Sequence, residues 1–154
     1  LVDFDTNFKV NPPLRSKKDV KALINGLKDG TIDVIVSSHS PQDEESKKVE
    51  FDLAEFGVTG LQTVYPILNS LEDKLDLNLL IEKITISPRV ILLLPIPEIK
   101  VGSPANLTVF DPNQKWVLDE HSNQSKSKNS PFYNHTLNGK VVVVFNNGKW
   151  ELNR

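Results

Sequence analysis

Hydrophobic residues first recur at helical spacing in the part of the chain that follows Arg15. The apolar positions that share this spacing are Val20, Leu23, Ile24 and Leu27. Ser16 and Asp19 stand three residues apart ahead of this stripe, as in a capping box, and Gly30 follows it. Because serine at an N-cap and glycine after the last turn satisfy backbone groups at the two helix ends, the pattern predicts an amphipathic helix between them.

A short run rich in β-branched residues, residues 32–36, comes directly after this helix and predicts a strand that is buried on both faces. Residues 37–55 are polar and charged, which indicates a long loop. A second helical stripe then follows at Leu61, Val64, Tyr65, Ile67 and Leu68. Asn78 is placed to cap a third helix, and Ser87–Pro88 to begin a fourth. A helix that leads into a buried strand is typical of parallel α/β architecture.

The second half of the chain has the pattern of β-structure. Residues 105–110, 116–118 and 141–145 are strand-like and are separated by turn residues. Asn147–Gly148 predicts a hairpin turn near the end of the chain. Trp116 and Trp150 stand in strand-like runs, so we expect both in the core of a small β unit.

Composition narrows the class of protein. The 154 residues are 38% hydrophobic and 25% charged, as expected for one globular domain. A formal charge of -2 argues against nucleic acid as a partner, and no apolar run approaches the roughly 20 residues of a membrane helix. The absence of cysteine excludes thiolate metal sites and suits the cytoplasm. Because the chain begins at Leu1 and has no methionine, we expect a fragment, or alternatively a processed form.

Histidine and serine offer little catalytic chemistry by themselves. We expect His39 to form structural hydrogen bonds, and His121 and His135 to be exposed, since neither of the latter has a second ligand at useful spacing. A Ser-His nucleophile within residues 37–40 is disfavoured, because neighbouring residues on an extended strand point to opposite faces and no Gly-x-Ser-x-Gly elbow surrounds them.

Four stretches in one order carry a family resemblance. They are Asn-Phe-Lys-Val-Asn-Pro-Pro-Leu-Arg at 7–15, Asp-Gly-Thr-Ile-Asp-Val-Ile at 29–35, Val-Gly-Ser-Pro-Ala-Asn-Leu-Thr at 101–108 and Ser-Lys-Ser-Lys-Asn-Ser-Pro-Phe at 125–132. In these stretches the chain resembles the C-terminal part of bacterial-type dihydroorotases of the amidohydrolase superfamily. The resemblance covers almost the whole chain.

The fold that the resemblance implies is a (β/α)8 barrel with a small β-sandwich, a metal-dependent hydrolase of the α/β class. Residues 1–95 would hold the last strands and helices of the barrel, and residues 96–154 the C-terminal strands of the sandwich. A complete barrel takes about 250 residues. We therefore expect the chain to depend on the N-terminal remainder of the same protein, which would also supply most of the active site. An autonomous binding module is the less favoured alternative, because its barrel strands would have unpaired edges.

Two positions depart from the family's motif. The last barrel strand of the family ends in Thr-Asp-His-Ala-Pro-His, whose aspartate is a metal ligand and general base. Here the stretch reads Ser-Ser-His-Ser-Pro-Gln, so Ser38 stands at the aspartate and Gln42 at a substrate-binding histidine. The carboxylate would take a proton from the metal-activated water and deliver it to the departing amide nitrogen, which serine cannot do near neutral pH.

The other site residues rest on the resemblance alone. Asn11 matches a substrate-binding asparagine, and Phe56 and Gly57 match a loop pair whose backbone contacts the substrate ring. Glu55 stands where relatives often have proline. The family uses zinc, and we expect zinc to be absent or weakly held here, with no metal ligand in this chain.

Two functions remain open at this stage. The first is a non-catalytic dihydroorotase homologue of pyrimidine biosynthesis that acts as a structural partner of aspartate carbamoyltransferase. The second is an active zinc-dependent dihydroorotase, or a related cyclic amidase, that interconverts carbamoyl aspartate and dihydroorotate with an altered base. Under both hypotheses we expect the protein to be a cytoplasmic homo-oligomer that binds neither nucleic acid nor a membrane.

Overall fold

The computed structural model describes residues 3–71 and 74–153. Leu1, where we expect an internal start, lies outside them. A 3₁₀ turn at Thr6–Phe8 precedes five helices: α1 (Lys17–Asp29), α2 (Glu44–Lys47), α3 (Val64–Asn69), α4 (Leu77–Ile84) and α5 (Ile86–Ile91). Three strands follow: β1 (Leu107–Val117), β2 (Thr136–Asn146) and β3 (Lys149–Leu152). No helix in the described ranges is long and apolar enough to cross a membrane.

The first predicted helix is confirmed at both of its ends. The Ser16 hydroxyl accepts the Asp19 N–H at 3.3 Å, and the Asp19 carboxylate accepts the Ser16 N–H at 3.1 Å. Gly30 closes the helix in the left-handed conformation with φ 81°. These bonds satisfy backbone groups that the helix itself cannot pair.

Helices α1, α3 and α4 share one hydrophobic core. Its buried leucines are Leu27, Leu68, Leu75 and Leu80. Ile32 and Ile35, from the predicted strand after α1, pack against this cluster while remaining partly exposed. Leu80 is fully buried, so α4 is held mainly by the burial of its apolar face.

Residues 32–36 do not form the predicted strand within the described part of the chain. The Ile35 N–H donates to the Lys83 carbonyl at 3.1 Å, and the Ile32 N–H donates to the Gly26 carbonyl at 2.8 Å. A parallel strand needs a neighbouring strand that is distant in sequence. The described residues supply only an isolated parallel bridge, between His39 and Val58.

The start of α4 also differs from the prediction. Asp76 is the N-cap, and its carboxylate accepts the N–H groups of Asn78 at 2.9 Å and Leu79 at 3.3 Å. The prediction of Asn78 as the cap is therefore wrong by two residues. Both Asp and Asn are good N-caps, and the sequence pattern does not decide between caps this close together.

The C-terminal half forms an antiparallel sheet in the order β1-β2-β3. We expected residues 105–110 and 116–118 to be separate strands. Both runs instead overlap the single strand β1, whose register against β2 shifts between Asp111 and Lys115. The predicted hairpin is confirmed, since Asn146 pairs with Lys149 around a turn with φ 50° at Asn147 and φ 72° at Gly148.

Helix α3 packs on this sheet and joins the two halves. The rings of Tyr65 and Phe110 lie 4.4 Å apart, and a side chain at Gly139 would meet the Tyr65 ring. The Trp116 indole donates to the Gly139 carbonyl at 3.0 Å. Trp150 is 62% exposed, so the prediction of a core position for Trp150 is wrong in this structure.

The segment between α5 and β1 is the most exposed apolar part of the described chain. Leu93 is 92% exposed and Ile99 is 90% exposed. This segment crosses the boundary that we predict near residue 95.

Candidate functional site

The residues at the predicted strand end lie beside the loop that precedes α3. We call residues 38–42 the motif loop and residues 56–59 the facing loop. The Ser40 N–H donates to the Val58 carbonyl at 2.8 Å, and His39 forms the parallel bridge with Val58. The His39 Nδ1 atom accepts the N–H groups of Gly60 at 3.0 Å and Leu61 at 3.3 Å. The structural hydrogen bonds expected of His39 are confirmed.

Ser38 is exposed and has φ 47°, in the left-handed region that few residues other than glycine adopt. Its hydroxyl makes no hydrogen bond to any described residue. Aspartate and asparagine are tolerated in this backbone region better than most other side chains. The backbone at Ser38 is therefore compatible with a carboxylate, although the side chain present is neutral.

Gln42 contacts both loops through its side-chain amide. Its Nε2 atom donates to the Ser40 hydroxyl at 3.1 Å and to the Phe56 carbonyl at 3.0 Å. A side chain at Gly57 would place Cβ 2.5 Å from the Ser40 carbonyl oxygen and 2.9 Å from Gln42 Nε2. Gly57 therefore allows the two loops to approach closely. The structure brings Gln42, Phe56 and Gly57 together.

The backbone of the facing loop is already bonded to the protein. The Gly57 N–H donates to the Lys9 carbonyl at 3.0 Å. The Gly57 carbonyl accepts from Lys47 Nζ at 3.1 Å and from Asn129 Nδ2 at 3.0 Å. The resemblance assigns the backbone of Phe56 and Gly57 to contacts with a substrate ring. The N–H and carbonyl groups of Gly57 are already hydrogen-bonded within the protein, so they are less available to a ligand.

Two buried lysines that the sequence analysis missed hold this loop. Lys9 Nζ donates to the carbonyls of Phe51 at 2.8 Å and Asp52 at 3.0 Å, and it lies 4.7 Å from the centroid of the Phe56 ring. Lys47 Nζ donates to the Glu55 carbonyl at 2.8 Å as well as to Gly57. Burial, followed by the positive charge of Lys9, lowers the pKa of Lys47 below its ordinary value. No sequence pattern marks a lysine whose partners are backbone carbonyls.

Asn129 is a third residue that was missed, although it lies in one of the stretches that carry the resemblance. It is 6% exposed, and its Oδ1 atom accepts the Gln42 N–H at 3.2 Å. The Asn129 backbone carbonyl accepts the Thr59 N–H at 3.0 Å. A cleft of about 650 Å³ opens beside this contact, lined among others by Thr6, Gln42 and Lys47.

Asn11 is not brought to this cluster. It is exposed, and it makes no hydrogen bond to the motif loop or the facing loop within the described residues. His121 and His135 are exposed, as expected.

Within the described residues of this chain, the candidate site has too few donors to hold a metal ion by itself. Ser38 offers a neutral hydroxyl, and the His39 Nδ1 atom accepts backbone N–H groups. Within residues 3–71 and 74–153, no three histidine or carboxylate side chains are grouped so that they could hold a metal ion. Catalytic zinc requires several such ligands.

The structure thus places a polar motif loop against a glycine-containing loop, beside helices that pack on a short sheet. The chain belongs to the amidohydrolase family, whose model matches residues 9–150. Its curated relatives include dihydroorotases. It is 45% identical over 152 residues to the dihydroorotase of Carboxydothermus hydrogenoformans, covering 96% of this chain and 35% of that protein. It is 44% identical over 152 residues to the dihydroorotase of Aquifex aeolicus, covering 97% of this chain and 36% of that protein.

Solved structures share the fold. An L-hydantoinase (dihydropyrimidinase) from Arthrobacter aurescens aligns with a TM-score of 0.83 at 26% identity, over 96% of this chain and 34% of that one. An inactive dihydroorotase-like domain of a multifunctional protein from Chaetomium thermophilum aligns with a TM-score of 0.63 at 19% identity, over 94% and 41% of the two chains. The chain thus spans about a third of the length of the dihydroorotases that it matches, and the resemblance to their family is confirmed.

Proposed function

We propose that this chain is the C-terminal part of a dihydroorotase-like protein that has lost catalysis. In this proposal residues 1–95 complete a (β/α)8 barrel and residues 96–154 contribute strands to a β-sandwich. The match over 96% of this chain but 35% of a dihydroorotase supports a part of a longer protein. The strand composition of residues 32–36, which lack a strand partner in the described chain, supports a barrel completed by other residues.

The observation that carries the loss of catalysis is Ser38 at the position of the family's aspartate. A serine hydroxyl does not take a proton from water near neutral pH, and it is a weak ligand for a divalent cation. A positioned acid or base contributes about 10² to 10⁴ in rate. At about 1.4 kcal/mol for each tenfold change, this loss corresponds to roughly 3–5 kcal/mol of barrier.

Gln42 supports the same conclusion. Its amide is engaged with Ser40 and Phe56, both within the protein. A side chain that holds two loops together is less available to bind a substrate than a free histidine at the same position.

For the biological role we propose a structural partner of aspartate carbamoyltransferase in pyrimidine biosynthesis, in the cytoplasm and as a homo-oligomer. The dihydroorotase relatives support the pathway. The Chaetomium thermophilum domain is described as inactive and belongs to a multifunctional protein, so a protein of this fold without activity has a precedent.

The test uses the full-length protein and measures both directions of the dihydroorotase reaction. We expect no turnover. Ser38→Asp combined with Gln42→His should then restore some turnover if the metal ligands outside this chain are intact. Ser38→Asn with Gln42→His is the matched control, because asparagine has the shape of aspartate without its charge. Turnover by the unmodified protein at ordinary enzyme rates would falsify the proposal.

The alternative is an active zinc-dependent dihydroorotase with another base, and identities of 40–45% to dihydroorotases favour it. The zinc content of the full-length protein separates the two functions, since catalysis of this type needs at least one bound metal. One or more zinc ions per chain together with turnover would establish the alternative. A protein that stays metal-free after zinc reconstitution would end it. Co-purification with aspartate carbamoyltransferase tests the partner separately.

A further inference from the structure

The structure assigns Asn129 the role of a positioning residue that fixes the motif loop against the facing loop from the C-terminal half of the chain. This inference rests on the proposed function only in that these two loops form the candidate site. The fixing itself requires neither activity nor inactivity of the protein.

The side chain of Asn129 bonds to both loops at once. Its Oδ1 atom accepts the Gln42 N–H at 3.2 Å, and its Nδ2 atom donates to the Gly57 carbonyl at 3.0 Å. The Ser127 hydroxyl lies 2.5 Å from both Asn129 Oδ1 and the Gln42 carbonyl oxygen, so it supports the same contact. These bonds join residues 87 and 72 positions apart in sequence.

Burial makes these bonds important. Asn129 is 6% exposed and Gly57 is buried, so water cannot readily replace a lost partner. A buried polar group left without a partner costs more than the net value of the bond it made. The carbonyl of Asn129 adds a backbone bond to Thr59, which a change of side chain does not remove.

Only a side chain with a donor and an acceptor at this length serves both loops. Alanine would leave the Gln42 N–H without its acceptor and the Gly57 carbonyl without one of its two donors. Aspartate has the same shape and keeps an acceptor for Gln42, but its second oxygen would face the Gly57 carbonyl oxygen, and two acceptors repel each other. Comparing the two substitutions therefore distinguishes the effect on the motif loop from the effect on the facing loop.

The experiment is amide hydrogen exchange at residue resolution on the full-length protein carrying Asn129→Ala or Asn129→Asp. With Asn129→Ala the Gln42 N–H loses its acceptor, and the Gly57 N–H, which is bonded to the Lys9 carbonyl, reports how often the facing loop opens once its carbonyl has lost Asn129. We expect both amides to exchange about tenfold faster or more, the equivalent of roughly 1.4 kcal/mol. With Asn129→Asp we expect the increase at Gly57 and little change at Gln42. Asn113→Ala is the control, because Asn113 is exposed and its side chain makes no hydrogen bond to any residue in the described ranges; its backbone N–H donates to the Asp111 carboxylate.

Exchange in α1 distinguishes local from global effects. The Val20 N–H is bonded to the Ser16 carbonyl, far from Asn129 in sequence, and should keep its rate in every variant. Unchanged rates at Gln42 and Gly57, or an equal rise at Val20, would overturn the inference. Dihydroorotase turnover by the unmodified protein would overturn the proposed function and leave this result intact. If Asn129→Ala does not fold, the selective effect of Asn129→Asp alone decides the question.

Discussion

The facing loop and the C-terminal hairpin are both built around a glycine with positive φ, but different interactions hold them. The hairpin of β2 and β3 is stabilised by backbone pairing across a two-residue turn, and Gly148 in that turn has open space around it. The facing loop is held by the backbone carbonyl of Lys9 and by the side chains of Lys47 and Asn129, and Gly57 is packed against the motif loop.

The hairpin is held by interactions between residues close in sequence, whereas the facing loop is held by residues far apart in sequence. A hairpin can form from its own sequence, because its partners are a few residues apart. The facing loop gains its bonds only after three separate segments have assembled, so it depends on the whole fold. We therefore expect equal changes in the two regions to have unequal effects.

The largest effect is expected for Gly57→Ala. The added methyl group would overlap the Ser40 carbonyl oxygen at 2.5 Å and the Ser40 hydroxyl at 2.7 Å, at φ 135°. Backbone strain and overpacking together cost about 3–5 kcal/mol of the free energy of unfolding. Chemical denaturation of the full-length protein measures this loss. Gly30→Ala, also at positive φ but with nothing within 4 Å, is the control and should lose about 1 kcal/mol.

The next effect is expected for Lys47→Met. Methionine keeps most of the apolar stem but leaves the Glu55 carbonyl without its donor, so we expect a loss of about 1–3 kcal/mol in the free energy of unfolding. Lys48→Met is the control, because Lys48, the C-cap of the same helix, is exposed and pairs with Glu44. A Lys47→Met protein as stable as the unmodified one would show that the facing loop does not depend on the ammonium group.

The lowered pKa of Lys47 also gives a pH dependence. Between the lowered folded-state pKa and the ordinary value of 10.5, the unfolded chain binds more protons at Lys47 than the folded one, so stability rises with pH there. We expect the stability difference between the unmodified protein and Lys47→Met to grow with pH in this window and to stay constant below it. Denaturation midpoints of both proteins across the window measure the difference. A difference that shrinks as pH rises would contradict the prediction.

The sequence predicts features held by neighbouring residues well, and features held by residues distant in sequence poorly. Ser16, Asp19 and Gly30 define α1, and Asn147–Gly148 defines the hairpin, because their partners are neighbours in sequence. Residues 32–36 have strand composition, yet composition does not supply the strand with which they would pair.

The candidate site shows the same division. Ser38 and Gln42 emerge from a motif that aligns without a gap, whereas Lys9, Lys47 and Asn129 act through backbone carbonyls and amides that no residue pattern records. Trp150 illustrates the converse error: a strand-like position predicts alternation of faces but not what covers either face.

A smaller effect is expected for Gly148→Ala in the hairpin. The turn has φ 72° at Gly148, and no atom within 4 Å would meet the new methyl group, so only the backbone preference is lost. We expect a loss of about 1 kcal/mol. Gly148→Asn should recover most of it, since asparagine tolerates the left-handed region. A loss as large as that of Gly57→Ala would remove the contrast between the two regions.

The smallest effect on stability is expected for Lys128→Gln, which removes an exposed ion pair beside the same C-terminal segment that carries Asn129. Lys128 Nζ donates to the Glu120 carboxylate at 2.8 Å, and this bond with its positive charge lowers the pKa of Glu120. Stability from the pair is present above the ordinary pKa of the carboxyl group and is lost as pH falls through the lowered value. Solvent and salt screen such pairs, so we expect only a slight fall in the denaturation midpoint at neutral pH, while the pKa of Glu120 rises toward 4.5, as followed by NMR titration. Lys126→Gln, two residues away, is the control and should leave both the midpoint and the pKa of Glu120 unchanged. A marked loss of stability with Lys128→Gln would mean that exposed charge, and not the buried bonds of Asn129, holds this segment to the motif loop.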